Sequence, residues 1–281
     1  MRAFPTGQPT LDLLMERKGH ASVAVVLPAR DEATTIGAIV AQVRDRLQDE
    51  VGLVDELIVM DHGSRDDTAV VAAEAGATVI AADSVLTAFG PVLGKGDVLW
   101  RSLQASSADL IVWLDADLES FTSDYVTRLV APLLLSRDIA LVKGTYDRAL
   151  HGDATGGGRV TELAAKPALR LLQPHLVHVE QPLAGEYAIR RDVAEAICFE
   201  VDYGVEMGLL IDVAALAGAS SIAQMDLGTR VHRNRDLAAL GQQAEQVLRA
   251  ILSRSGVPID EQVARPPIAA LRTRPAASRA S

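Results

Sequence analysis

Two aspartates separated by one residue end a strongly hydrophobic run. Asp115-Ala116-Asp117 follows Leu110 to Leu114, whose sequence LIVWL is typical of a buried strand. Side chains at positions i and i+2 of an extended chain point to the same side, so both carboxylates can reach one ligand. Both could bind one divalent cation, or one could bind the cation while the other accepts a hydrogen bond from a ribose or sugar hydroxyl. Two solvated acids in a turn are the alternative that this motif alone leaves open.

The first half of the chain alternates between strand-like and helical segments. Strands are predicted at 22–28, 57–60, 78–81 and 110–114, and helices at 34–47, 67–75 and 96–106. This alternation predicts an α/β fold in which helices cover both faces of a mostly parallel sheet. Ligands of such sheets bind at the carboxyl ends of the strands. The polar clusters expected to meet there are Pro28 to Glu32, Asp61 to Asp66 and Asp115 to Asp117.

The charge of the chain limits the ligands that it can take. Its 281 residues include 27 basic and 37 acidic side chains, a formal net charge of -10. This balance argues against a nucleic-acid partner, because phosphate-binding surfaces are rich in Lys and Arg. A phosphorylated small molecule can still be held by a few local cations. No apolar run reaches the ~18 residues of a membrane span, so no membrane partner is expected.

The single cysteine and the two ends bear on location and organisation. Cys198 cannot form an intrachain disulfide, which fits a reducing cytoplasm, and we expect it to be buried as a small hydrophobic side chain. Residues 1–20 are interpreted as an N-terminal extension. The segment after Glu261 has four Arg, no acid, and little besides Ala, Pro and Ser. Residues 256–281 are therefore expected to form a disordered tail.

Two segments that contain glycine carry cations suited to phosphate. Lys95 lies between Gly94 and Gly96, where the missing side chains let the backbone approach a ligand, although a solvated loop is the alternative. Residues 156–161, GGGRVT, offer backbone N–H groups, a guanidinium and a hydroxyl at the predicted start of a helix. Those groups suit an anion, and the helix dipole adds to their attraction. A flexible hinge is the alternative for this second segment.

Motifs along most of the chain resemble those of family-2-like GT-A glycosyltransferases. In the first half they are VVLPARDEATTIG, DELIVMDHGSRDDT, GKGDVLWRSL and LIVWLDADL. In the second half, ATGGGRVTEL, QPLAGEYA, YGVEMGLLID and AQMDLGTRVHRNR resemble the actinobacterial glucosyl-3-phosphoglycerate synthases. The resemblance implies a Rossmann-like GT-A fold. Residues 21–142 would be its donor-binding half, and residues 143–255 its acceptor-binding half.

The resemblance implies a donor site and a metal site. The residues that it assigns to the nucleotide sugar are Pro28, Ala29, Arg30, Glu32, His62, Lys95, Asp115 and Ala116. Pro28 and Glu32 would lie against the base and ribose, although Pro28 could equally be a plain strand terminator. Asp117 and His232 would bind the metal, a mixed oxygen and nitrogen set that suits Mn²⁺ or Mg²⁺. Asp115 would hold donor hydroxyls and is one catalytic candidate.

The same resemblance implies an acceptor site. Gly158, Arg159 and Thr161 would hold the phosphate and carboxylate of 3-phosphoglycerate, with Asn234 nearby. Glu206 is flanked by apolar residues and would act on an acceptor or donor hydroxyl, which makes it the second catalytic candidate. A structural salt bridge is an equally good explanation of Glu206.

Three features depart from the pattern of that family. His62 replaces a small Ser near the expected nucleotide base, so the base preference could differ. The metal motif is Asp-Ala-Asp followed by Leu-Glu-Ser, where Asp-Ser-Asp followed by Leu-Ile-Asn is usual. Asp147 stands where a basic residue is common, which weakens the case for 3-phosphoglycerate as the acceptor.

The sequence thus predicts a retaining, metal-dependent hexosyltransferase. It would move glucose from UDP-glucose to the 2-hydroxyl of 3-phosphoglycerate or a similar small phosphorylated acceptor, as a cytoplasmic homodimer. One alternative is a relative with another donor, such as GDP-mannose, GDP-glucose or UDP-GlcNAc, or with a specialised-metabolite acceptor. A non-catalytic nucleotide-sugar-binding protein is another. A nucleotidyltransferase is disfavoured, because its glycine-rich loop is expected near the first strand, where LPARDE stands.

Overall fold

A mostly parallel sheet forms the centre of the structure, a computed structural model that describes residues 9–149, 158–231, 237–259 and 263–272. Its strands are β1 (Val23–Ala29), β2 (Glu56–Asp61), β3 (Thr78–Ala81), β4 (Leu110–Trp113), β5 (Leu141–Ala149), β6 (Tyr187–Arg190) and β8 (Ile222–Val231). They lie in the order β3-β2-β1-β4-β6-β5-β8. A separate two-stranded sheet consists of β7 (Phe199–Glu200) and β9 (Ala264–Arg265).

Helices lie on both sides of the large sheet. They are α1 (Leu11–Lys18), α2 (Ile36–Val43), α3 (Thr68–Ala75), α4 (Lys95–Ala105), α5 (Asp124–Leu135), α6 (Lys166–Leu172), α7 (Arg191–Ala196), α8 (Val205–Ala217), α9 (Leu237–Ser253) and α10 (Ile268–Arg272). A π-helical segment, Arg44–Glu50, continues α2, and another, Thr161–Ala165, precedes α6.

The helices divide between two hydrophobic cores because side chains alternate along each strand. Val23, Val25 and Leu27 of β1 lie in one core with residues of α1, α2, α3 and α5. Ala24 and Val26 lie in the other core with residues of α4 and of α6 to α10. These five of the seven side chains of β1 are fully buried. The continuous apolar run of this strand therefore reflects a sheet covered on both faces, which confirms the fold predicted from the sequence.

The carboxyl ends of β1, β2 and β4 meet at one edge of the sheet. β1 pairs in parallel with β2, placing Ala29 opposite Asp61, and with β4, placing Val26 opposite Trp113. The strands and helices predicted for the first half agree closely with the observed elements. The three polar clusters after these strands therefore share the edge at which ligands of parallel sheets bind.

The strand β6 runs antiparallel to both of its neighbours. Tyr187 of β6 lies opposite Trp113 of β4 on one side and Lys143 of β5 on the other. This reversal brings the turn before β6 beside the residues that follow β4. The boundary expected between residues 142 and 143 falls inside β5, so strand pairing within one sheet continues across it.

The structure differs from the sequence-based expectation at the C-terminal end. Residues 263–272 were expected to lie in a disordered tail, but β9 pairs with β7 and Ile268 of α10 is 1% exposed. The indole Nε1 of Trp100 also donates to the carbonyl of Pro266 at 2.8 Å. Composition could not reveal this order, because the partners of these few side chains lie far away in the sequence.

Two smaller features complete the fold. Helix α1 buries Leu14 and ends at Lys18, which is ion-paired with Asp55, so the chain from Leu11 onward belongs to the packed structure. Cys198 is exposed, and the expectation of burial is wrong, because its neighbours on either side point inward and the alternation turns it outward. None of the helices in the described ranges is both long and apolar enough to cross a bilayer.

Candidate active site

A lysine joins two carboxylates at the carboxyl edge of the sheet. The Nζ atom of Lys95 lies 2.7 Å from Asp115 Oδ1 and 2.7 Å from Glu206 Oε1. Their side chains are 17%, 21% and 5% exposed. Asp115 follows β4, Lys95 begins α4 and Glu206 lies in the first turn of α8. Three separate elements thus bring three predicted site residues together, and the salt bridge considered for Glu206 is made with the predicted donor-site lysine.

The two carboxylates keep Lys95 charged. Burial lowers the pKa of Lys95, but the attraction of Asp115 and Glu206 outweighs burial and raises the pKa well above its usual value. The lysine also lies at the N-terminus of α4, where the helix dipole disfavours a positive charge. A permanent cation is therefore held at the edge of the sheet by two acids from elsewhere in the fold.

The glycines beside Lys95 allow a close contact within the protein. A Cβ atom at Gly94 would lie 2.7 Å from the carbonyl oxygen of Val201, and one at Gly96 would lie 2.8 Å from Val205 Cβ. Any larger residue would push the chain away from the segment that follows β7. The sequence suggested that these glycines admit a ligand. The structure gives them a second role, which is to seat the lysine against the protein's own backbone.

The turn before β6 packs against Asp115. A Cβ atom at Gly185 would collide with both carboxylate oxygens of Asp115. The next residue, Glu186, is fully buried, and its carbonyl accepts a hydrogen bond of 2.8 Å from the amide of Gly144 in β5. The motif GEYA therefore contributes its backbone to the edge of the sheet, where it limits the positions that the Asp115 carboxylate can take.

Lys143 is a buried cation that the sequence analysis did not single out. Its Nζ atom donates to the carbonyl of Ala184 at 2.6 Å and lies 4.3 Å from the centre of the Tyr187 ring. Burial, together with the repulsion of Lys95, lowers the pKa of Lys143 to about 8 against the attraction of Glu206. The sequence signal that could have identified Lys143 is its place inside the apolar run LVKG of β5, because an interior strand rarely buries an ammonium group without a specific partner.

Hydrogen bonds link the loop after β1 to the start of α3 and to the loop after β4. The amide of Glu32 donates to Thr68 Oγ1 at 2.8 Å, and the hydroxyl of Thr35 donates to the carbonyl of Ala116 at 2.7 Å. Asp31 adopts a positive φ of 58°, which Asp tolerates better than most residues. The predicted donor-site residues Glu32 and Ala116 thus belong to one connected edge.

His62 lies where β1 and β2 end. Its amide donates to the carbonyl of Ala29 at 2.9 Å. Burial lowers the pKa of His62, and the charge of Arg30 lowers it further against the attraction of Asp83, so the surroundings favour the neutral imidazole. Of the other predicted residues here, Pro28 is half-buried, Ala29 is buried and Arg30 is exposed.

The acceptor candidates lie at the start of the helical segment that leads into α6. Gly158 has a φ of 81°, and its carbonyl accepts a hydrogen bond of 2.9 Å from the amide of Glu162. Arg159 is exposed, whereas Thr161 is 2% exposed. Asn234, the fourth candidate, lies outside the described residues. The guanidinium is thus the accessible charged group of this set.

One of the two predicted metal ligands lies in the described part of the chain. Asp117 is partly exposed and lies two residues after Asp115, whereas His232 lies outside the described residues. Within the described ranges, no three His, Cys, Asp or Glu side chains are grouped as a metal site. A partly exposed carboxylate is an oxygen donor of the kind that Mg²⁺ and Mn²⁺ prefer. The carboxylate of Asp117 therefore fits such a cation as one of its ligands.

Comparison with known proteins agrees with this arrangement. The family model described as glycosyl transferase family 2 matches residues 24–171. The glucosyl-3-phosphoglycerate synthase of Mycolicibacterium smegmatis is 46% identical over 244 residues, covering 85% of this chain and 80% of that protein. The synthase of Mycobacterium tuberculosis H37Rv is 44% identical over 256 residues, covering 89% and 78%.

Solved structures agree with the sequence comparison. A crystal structure of the Mycobacterium tuberculosis synthase in complex with Mn²⁺, UDP-glucose and phosphoglyceric acid superposes with a TM-score of 0.86 and 41% identity, covering 95% of this chain and 96% of that one. Another, in complex with phosphoglyceric acid, gives a TM-score of 0.88. The resemblance found in the motifs is confirmed by these matches. The chain belongs to glycosyl transferase family 2, in the group of the glucosyl-3-phosphoglycerate synthases.

Proposed function

We propose that this protein transfers glucose from UDP-glucose to the 2-hydroxyl of 3-phosphoglycerate, with retention of the anomeric configuration and with Mg²⁺ or Mn²⁺ as cofactor. The observation that carries the proposal is the ion-paired cluster of Lys95, Asp115 and Glu206 at the carboxyl edge of the sheet. It combines a permanent cation with two carboxylates, which suits a ligand that carries both a diphosphate and sugar hydroxyls.

The donor would bind across the edge formed by β1, β2 and β4. In this proposal, Pro28, Ala29, Arg30, Glu32 and His62 contact the nucleoside, and Asp117 and His232 bind the metal. A bound divalent cation neutralises the charge that develops on the departing diphosphate. Lys95 lies near that charge, and Asp115, steadied by Lys95 and Gly185, accepts hydrogen bonds from the sugar hydroxyls.

Glu206 is proposed to orient a hydroxyl group rather than to attack the sugar. Its side chain is 5% exposed and ion-paired with Lys95, and such a pair lowers the nucleophilicity of a carboxylate while leaving it able to accept a hydrogen bond. The bond between the sugar carbon and the diphosphate breaks, and a bond to the acceptor oxygen forms on the same face. The acceptor hydroxyl gives its proton to the departing diphosphate.

The acceptor is proposed to bind at the loop that leads into α6. The exposed guanidinium of Arg159 can pair with a phosphate or carboxylate in two parallel hydrogen bonds. Gly158, Thr161 and Asn234 complete the set. The Mycobacterium tuberculosis relative, crystallised with phosphoglyceric acid, supports a small acid of this type.

The test is a product assay on the full-length protein. We would incubate it with UDP-glucose, GDP-glucose, GDP-mannose and UDP-GlcNAc, each with a panel of phosphorylated acids, in the presence of Mg²⁺, Mn²⁺ or a chelator. Mass spectrometry should detect a glucosylated acid from UDP-glucose and 3-phosphoglycerate only when a metal is present, and NMR should show the α-anomer. Tight donor binding without any glycosylated product would instead identify a non-catalytic nucleotide-sugar-binding protein.

The homodimer and the cytoplasmic location stay predictions. Two leucines of the segment that contains α6 are largely exposed, Leu163 at 79% and Leu171 at 82%, and a second copy could cover such side chains. Light scattering coupled to size-exclusion chromatography should give twice the monomer mass of 29.8 kDa, and the monomer mass would refute the dimer.

A further inference from the structure

An arginine near the C-terminal end binds an aspartate close to the donor-site lysine. Arg265 donates from Nε to Asp97 Oδ1 at 2.9 Å and from Nη2 to Asp97 Oδ2 at 2.6 Å. Asp97 is fully buried in the first turn of α4, two residues after Lys95. This geometry is the paired arrangement in which a guanidinium fixes a carboxylate most firmly.

The same arginine also holds the loop that precedes the lysine. Its Nη1 donates to the carbonyl of Phe89 at 3.1 Å, and its guanidinium lies 5.6 Å from the centre of the Trp100 ring. Asp97 in turn accepts a hydrogen bond of 3.0 Å from the amide of Leu93. The chain on both sides of Lys95 is therefore connected to Arg265, either directly or through Asp97.

Strand pairing adds a second connection. Arg265 in β9 pairs with Phe199 in β7, and the chain just after β7 is the surface on which Gly94 rests. The amide of Asp97 donates to the carbonyl of Val201 at 3.1 Å. The first turn of α4, which begins with Lys95, thus contacts both the chain after β7 and Arg265 of β9.

We propose that the C-terminal segment 263–272 positions the donor-site lysine, with Arg265 as the positioning residue. The ammonium group of Lys95 must stay within hydrogen-bond distance of Asp115 and Glu206 to present its charge to the donor. Its backbone lies in the first turn of a helix, where the amide groups have no partners within the helix. The carbonyl of Val201 binds the amide of Asp97, and Arg265 holds the Asp97 carboxylate together with Arg101, whose Nε lies 3.3 Å from Oδ1. The contact with Arg265 is thus the one through which the C-terminal segment restrains this turn. This inference rests on the proposed role of Lys95 in donor binding.

The first test measures substrate kinetics and donor affinity of Arg265→Ala in the full chain. The KM for UDP-glucose should rise about tenfold, the coupling expected of residues in one network, while the KM for the acceptor stays unchanged. Calorimetry should show a similar loss of UDP affinity in the presence of Mg²⁺. Arg265→Lys keeps the charge but loses the paired geometry, so it should fall between wild type and Arg265→Ala. If Arg265→Ala does not fold, Arg265→Lys alone tests the proposal by the same measurements.

The matched control is Arg272→Ala. Arg272 belongs to the same segment and forms an ion pair of comparable length, 2.9 Å, but its described hydrogen bonds go to Glu195 of α7 rather than to α4. Its loss should leave the KM for UDP-glucose unchanged. An equal rise of this KM in both arginine variants would show that the segment contributes only general stability, and would overturn the proposal.

A double-mutant cycle with Lys95→Met separates positioning from packing. If Arg265 acts through Lys95, then Arg265→Ala should change UDP affinity little when Lys95 is already replaced. Full additivity of the two losses would overturn the inference, because the arginine would then act by another route. If Lys95→Met alone leaves donor affinity unchanged, the proposed donor role of Lys95 fails. If it weakens binding while Arg265→Ala does not, only the positioning inference fails.

Discussion

The backbone of Gly185 packs directly against the carboxylate of Asp115. A Cβ atom at position 185 would lie 2.6 Å from Asp115 Cγ and would overlap both carboxylate oxygens. The contact follows from the antiparallel register of β4 and β6, which places Trp113 opposite Tyr187. Continuing this register brings Asp115, two residues after Trp113, beside Gly185, two residues before Tyr187. The orientation of a predicted catalytic carboxylate is thus limited by a backbone from the second half of the chain.

Gly185→Ala should therefore impair catalysis by displacing Asp115. The backbone at position 185 does not have a positive φ, so the added methyl group acts by steric contact alone. A shift of about 1 Å in a group that orients the substrate costs roughly 100-fold in rate. We expect kcat/KM for UDP-glucose to fall by about that factor in steady-state kinetics.

The control for this variant is Gly241→Ala. Gly241 is exposed in α9, and a Cβ atom there would meet nothing within 4 Å. Alanine in a helix is favoured over glycine by up to about 1 kcal/mol, so this variant should be as stable as wild type or more stable, with unchanged activity. Unimpaired turnover by Gly185→Ala would show that the position of Asp115 is not critical.

Lys143 should make stability depend on alkaline pH. Its pKa in the folded protein is about 8, below the ordinary value of 10.5, so between these values the unfolded chain binds more protons. Stability therefore rises as pH increases from about 8 to 10.5, and this contribution is lost again as pH falls from 10.5 to about 8. The difference corresponds to about 3 kcal/mol. In Lys143→Met, denaturant unfolding at several pH values should lack this rise. The same pH dependence in wild type and variant would contradict the assignment.

Asp117→Asn should remove metal-dependent turnover. Replacing an outer partner of a metal ligand already costs about 10- to 100-fold in affinity, so the loss for a direct ligand should be at least about 100-fold. Activity measured against Mg²⁺ or Mn²⁺ concentration gives the apparent affinity. Glu119→Gln is the control, because Glu119 is an exposed acid two residues further along the same loop. Equal metal dependence of the two variants would rule out Asp117 as a ligand.

Arg159→Ala should weaken acceptor binding while donor binding is unaffected. A hydrogen bond to a charged group contributes about 1.5–3 kcal/mol, so the KM for 3-phosphoglycerate should rise about 10- to 100-fold. Arg170→Ala removes another exposed arginine, from α6, and should leave both substrate constants unchanged. A rise confined to the KM for UDP-glucose would move Arg159 to the donor site.

The sequence predicted the strands, the helices and the ligand-binding edge of the first half, because these depend on residues that are close together in the chain. Continuous apolar runs and turn residues placed β1 to β4 and the helices between them, because strands buried on both faces must be continuously apolar. The clustering of polar residues after those strands then predicted the ligand edge, because parallel strands must end on the same side. Motif resemblance assigned Lys95, Asp115 and Glu206 to that edge.

Contacts between segments that are far apart in the chain could not be predicted from such local patterns. The burial of Lys143 against Ala184, and the contact between Gly185 and Asp115, depend on how β6 is inserted antiparallel between β4 and β5. The sequence of a strand as short as β6 does not predict which strands will pair with it. The ordered C-terminal segment was missed for the same reason, because its composition alone resembles that of disordered chains.

The sequence by itself determined the fold class, the family and the residue types of the candidate site, because strand periodicity, strand ends and motif spacing are local properties of the chain. Only the tertiary structure decided that Lys95 pairs with both Asp115 and Glu206, and that Arg265 reaches the turn that bears this lysine. Such contacts join residues that are far apart in the chain. A buried charge is tolerated only where the fold supplies a partner for it, and only the folded chain brings such partners together.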